Sequence, residues 1–108
     1  MSHPIVPRRA DRRSVMMTTS CRTQSGLRDN AWISDISPQG CCLTTHSLAF
    51  RPGMRVVIRP QGLEGLTGVV RWIEGYSAGV EFDAPLYEPV VEHLSQLHAA
   101  QTPVTVSY

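Results

Sequence analysis

Four arginines fall within six positions near the start of the chain: Arg8, Arg9, Arg12 and Arg13. They form two overlapping R-x-x-x-R spacings, Arg8 with Arg12 and Arg9 with Arg13. A guanidinium presents its N–H donors in a planar fork, so it grips two acceptor oxygens at once and also lies flat against a ring. The chemistry open to such a cluster is the holding of paired acceptors and flat rings, which is permissive for nucleotide binding and no more specific than that. It is the chemistry of binding rather than of bond breaking.

Some twenty residues downstream, Asp35, Ser37 and Gly40 stand in the order D-x-S-x-x-G. The Asp35 carboxylate is a hydrogen-bond acceptor and the Ser37 hydroxyl both a donor and an acceptor. Gly40 either removes a side chain where backbone and ligand approach or simply satisfies a turn. Each motif also has a plain reading. Ser37, Pro38, Gln39 and Gly40 follow the order that a type I turn favours, and the arginine run alone reads as a solvated basic tail.

Composition narrows the function classes. The 108 residues suffice for one domain with a modest core. The formal charge of +1 conceals an asymmetry: residues 1–59 hold nine arginines against Asp11, Asp29 and Asp35, whereas residues 60–108 hold only Arg71 against six acids. Every cation is an arginine, since lysine is absent. Cys21, Cys41 and Cys42 show no ligand spacing, and the adjacent pair is expected to point to opposite faces of a strand, so neither a disulfide scaffold nor a metal site is expected. His93 and His98 are five apart, the wrong separation for one helix face, and His3 and His46 fall in loops. Neither a nucleophile elbow nor a glycine-rich phosphate loop is present, so no enzymatic activity and no cofactor are expected. With no long apolar run, the expectation is a soluble, cytoplasmic protein that does not meet the membrane.

The elements that must position these residues are mostly strands. Alternation and β-prone composition predict strands at 14–22, 31–36, 41–48, 55–60, 66–73 and 78–82, with Gly68 marking a bulge. Six short strands at this spacing predict a mainly β fold, a six-stranded antiparallel β-barrel. Residues 87–100 read as the one helix, with Pro89 suited to a first helical position and Val90, Val91, Leu94 and Leu97 along one side, capping an end of the barrel. Residues 1–7 form an N-terminal arm, 8–98 the domain, and 99–108 a tail that is either disordered or paired with an edge. Trp32 and Trp72 read as core side chains; the alternative for Trp72, with Arg71, is a stacking plate beside the site.

The two motifs, in this order and separation, with "RPGMRVVIRP", "GVVRWIEG" and "AGVEFDAP" behind them, resemble the PilZ domain family from about Arg8 to Leu97. Members of that family are six-stranded β-barrels that bind the bacterial second messenger cyclic di-GMP. The resemblance implies a non-enzymatic receptor whose ligand site comprises Arg8, Arg9, Arg12, Arg13, Asp35, Ser37 and Gly40. The arginine arm would fold across the ligand and change the surface offered to an unidentified protein partner. "RRSV" favours Arg8 and Arg12 as the working pair, with Arg9 and Arg13 beside them, while the Arg9 and Arg13 register stays open. Asp11 sits inside the cluster and could pair with Arg8 or Arg12. Two rivals stand next to this reading. One is a PilZ-like adaptor acting by protein contact without nucleotide, which the intact motifs disfavour. The other is a small nucleic-acid-binding barrel, disfavoured by the acidic second half.

Overall fold

Residues Arg13–Thr23 alternate without a break, with Val15, Met17, Thr19, Cys21 and Thr23 buried between more exposed neighbours. Only an extended strand with one face on a core gives this period. The computed structural model describes residues 12–46, 49–60 and 63–99. Its strands are β1 (Arg13–Thr23), β2 (Arg28–Ile36), β3 (Gly40–Thr44), β4 (Arg55–Pro60), β5 (Leu66–Glu74) and β6 (Ser77–Phe82), followed by a helix, α1 (Glu88–Leu97). They close as an antiparallel barrel in the order β1-β2-β3-β6-β5-β4. The expected six-stranded barrel with one C-terminal helix is therefore the fold. Closure matters here because it pairs every strand on both sides over part of its length, leaving few free edges.

The interior is filled by Met17, Ile33, Ile36, Leu43, Ile58 and Val70. The helix adds Val91 and Leu94 to the same cluster, with Leu86 and Val90 packed against it. It lies at the end where β1 begins and β2 ends, and the Leu86 N–H donates to the Pro38 carbonyl there (2.8 Å). The segment that leads into the helix thus buttresses the turn that contains the second motif. Gly26 and Gly75, with φ of 98° and 63°, sit in the β1–β2 and β5–β6 turns, in a region of backbone space that side chains disfavour.

Several expectations change. β2 starts at Arg28 rather than residue 31, because the ladder with β1 runs on to Arg22 opposite Arg28 whatever the polarity of the residues. β3 ends at Thr44; Ser47 and Leu48, expected to continue it, lie outside the described residues. The bulge in β5 falls between Val70 and Trp72, not at Gly68. Gly68 instead permits close strand approach, since a Cβ there would lie 2.6 Å from the Glu81 carbonyl oxygen. Leu97 is 62% exposed, because the chain leaves the helix to run beside β1. The Met16 N–H donates to the His98 carbonyl (2.8 Å), and Ala99 bridges to Val15. Ala99, the first tail residue, therefore pairs with a strand edge. Trp32 points outward and is 47% exposed, contrary to its reading as core.

Candidate functional site

Arg12 immediately precedes β1, and Asp35 is the penultimate residue of β2. The register sets Ser14 opposite Asp35 and Arg13 opposite Ile36. That pairing brings the two motifs to one corner of the barrel. The Arg12 Nη2 donates to Asp35 Oδ2 at 2.9 Å, with the two side chains 31% and 25% exposed. The pair is thus partly sheltered yet open to a ligand.

Arg13 goes elsewhere. As the first residue of β1 it turns toward the start of α1, where its Nη2 lies 3.8 Å from Glu88 Oε2. Of the two arginines available as the downstream member of the spacing, Arg12 meets the carboxylate of the second motif and Arg13 does not. Arg8, Arg9 and Asp11 lie outside the described residues.

The D-x-S-x-x-G turn holds itself together. Ser37 is buried, and its N–H donates to the Gly40 carbonyl (2.8 Å). Its Oγ accepts the Gln39 N–H (3.2 Å) and the Gly40 N–H (3.3 Å). The hydroxyl is engaged within the turn, fixing how the chain passes from Asp35 into β3. Gly40 has a reason of its own that spacing could not show: a Cβ there would sit 2.1 Å from the Val80 carbonyl oxygen of β6. Glycine at this position lets β3 and β6 come together behind the turn.

On the outer face the register continues from Asp35 to Cys42, from Cys42 to Gly79, and from Gly79 to Trp72. Two small residues therefore separate the Arg12–Asp35 pair from the indole of Trp72, which packs directly over Gly79. Sequence reasoning missed Cys42 and Gly79 as neighbours of the site. The one available signal was their alternation relative to Cys41 and Val80, which point into the core. Cys41 and Cys42 do take opposite faces, yet both are buried. Burial pushes the Cys41 thiol well above its ordinary range and raises that of Cys42, with the nearby Asp35 carboxylate adding to the upward shift. Beside the site, Arg71 Nε donates to Glu81 Oε1 at 2.6 Å. Arg71 is thus committed to an acid on the neighbouring strand.

The arrangement offers a cation fork and a carboxylate acceptor, both partly exposed, at one corner of the barrel. Among the described residues no three His, Cys, Asp or Glu side chains gather as a metal site, and no helix is long and apolar enough to cross a membrane. In comparison with known proteins, a model of the PilZ domain matches residues 7–100. No curated protein matches the chain.

Proposed function

The chain belongs to the PilZ domain family, a family of cyclic di-GMP receptor domains, and from that premise we propose that it is itself a non-enzymatic receptor for this dinucleotide that relays the signal to a protein partner. The observation that carries the reading is the meeting of Arg12 and Asp35, one from each motif, at 2.9 Å on an accessible corner. A guanidinium forks onto a phosphate or onto O6 and N7 of guanine, and a carboxylate accepts from the N–H groups of the opposite base edge. The two groups satisfy each other across the strand pair. On binding, each exchanges a protein partner for a ligand partner of the same polarity, so neither charge is left unpaired.

In this proposal Arg8 and Arg9 supply further guanidinium donors, while Arg13, directed toward Glu88, is an adjacent helper. Ser37 and Gly40 hold the turn that presents Asp35. The ligand-free adaptor reading draws on a different observation: Arg12 and Arg13 both already have acidic partners, Asp35 and Glu88.

Calorimetric titration with cyclic di-GMP, with GTP and cyclic di-AMP as controls, separates the two. Saturable heat from cyclic di-GMP alone, with affinity lowered about tenfold to a hundredfold in Arg12→Ala and in Asp35→Ala chains that remain folded, is the expected result. Silence from a folded wild-type sample transfers the assignment to the adaptor.

A further inference from the structure

The outward residues of β2, β1 and β4 form a surface that the nucleotide site does not use. In register, Arg28 stands opposite Arg22, and Arg22 opposite Val57. The next outward row is Asn30, Ser20 and Arg59, and the one after it Trp32 and Thr18. Met16, 67% exposed, extends the surface toward the Arg12–Asp35 corner. No outward position among these contributes a carboxylate.

Arg22 and Arg28 are like charges directly opposite each other in a ladder, an arrangement that costs stability. Neither they nor Arg59 form an ion pair among the described residues, whereas Arg12, Arg13, Arg55 and Arg71 each do. The nearby acids are otherwise placed. Asp83 pairs with Arg55 and accepts from Thr67, Asp29 lies on the other side of β2, and Glu64 makes no ion pair with Arg59 although the guanidinium lies over neighbouring Gly65. At the edge of the surface a groove of about 380 Å³ runs between the β1–β2 turn and β4, lined in part by Arg22, Arg55, Val57 and Thr67.

We propose that this face is the docking surface for an acidic segment of a partner protein, with Trp32 as its apolar anchor and Arg22, Arg28 and Arg59 as its cations. Trp, Met and Arg enriched where Asp and Glu are missing is the composition of a protein interface core, and Trp and Arg are the residues on which binding energy concentrates. Charge complementarity selects an acidic partner. A long polyanion is disfavoured by the acidic balance of residues 60–108, which hold six acids against Arg71 alone; a short acidic segment meets only the basic face. The inference rests on the relay half of the function proposed above and not on nucleotide binding.

The test is selection of a random library of short displayed peptides on the full chain, with counter-selection on the R22Q/R28Q/W32A chain. Recovered peptides should carry several Asp or Glu around an apolar residue and bind less tightly as salt rises. Each should lose about tenfold or more in affinity toward R22Q/R28Q and toward W32A separately. They should bind the R12A/D35A chain as they bind wild type, which keeps this result separate from any failure of nucleotide binding. Thermal melts confirm that the exposed-face variants fold. Recovery of peptides without acidic residues, or of acidic peptides that bind the variants equally, overturns the proposal. So does tighter binding through the same residues of single-stranded oligothymidylate or of phosphatidylserine vesicles, or a dimer in sedimentation that R22Q/R28Q abolishes.

Discussion

Arg12 and Asp35, separated by 23 positions in the chain, form a 2.9 Å ion pair across the first two strands. Partly exposed pairs contribute little to stability, under about 1 kcal/mol, whereas a charge-assisted hydrogen bond to a ligand is worth about 1.5–3 kcal/mol. Arg12→Ala and Asp35→Ala should therefore lower cyclic di-GMP affinity by about tenfold to a hundredfold while urea midpoints barely move. If Asp35→Ala unfolds the domain and the residual folded fraction binds normally, the carboxylate is structural.

Arg13 and Glu88 should behave as a separate couple. Arg13→Ala and Glu88→Gln are expected to shift stability by similar small amounts, and the double variant by no more than either alone. Arg12→Ala with Glu88→Gln should be additive. A double-mutant cycle by chemical denaturation distinguishes the two arginines. Coupling of Arg12 to Glu88 would contradict the assignment of partners.

Gly40→Ala introduces a methyl 2.1 Å from a backbone carbonyl, which a β-ladder cannot move aside. A loss of about 1–3 kcal/mol or more is expected, with weakened ligand affinity because the turn presenting Asp35 shifts. Gly79→Ala meets the Trp72 indole instead, at a similar distance. A side chain can swing, so its cost should be smaller and accompanied by a red shift of tryptophan fluorescence.

Ser37→Ala removes the acceptor of the Gln39 and Gly40 N–H groups and should cost about 0.5–1.5 kcal/mol by denaturant titration. Its effect on affinity should not exceed what a loosened turn produces. A loss matching that of Asp35→Ala in a chain of unchanged stability would instead mean that the hydroxyl touches the nucleotide.

The thiols set an alkaline limit. Burial pushes Cys21 from its ordinary 9.0 up to about 11. Between these values the unfolded chain releases the proton and the folded chain retains it, so folding is favoured fully below pH 9.0 and loses ground as pH rises toward about 11. Melting temperatures should fall across this window, and Cys21→Ala should flatten the fall. At pH 8 the native thiols should react with a disulfide reagent only as fast as the domain opens.

Much of this protein was legible in its residues. Strands were visible because period-two alternation is local, and β4 at residues 55–60 is bounded as its sequence suggests. The two motifs were visible because their order and separation, with the strand pattern behind them, resemble those of a known family. Alternation alone, however, does not say which of two faces is inside. Trp32 and Ile33 are equally apolar neighbours, and only closure of the barrel put Ile33 in the core and left Trp32 outside. Nor does spacing say which arginine meets Asp35. That choice was made by the β1–β2 register, which slips between Ser14 and Met17, and by a helix from the far end of the chain that offers Glu88 to Arg13. Register and docking are sums over many distant contacts, so they belong to the tertiary structure, while the kind of chemistry available is written residue by residue.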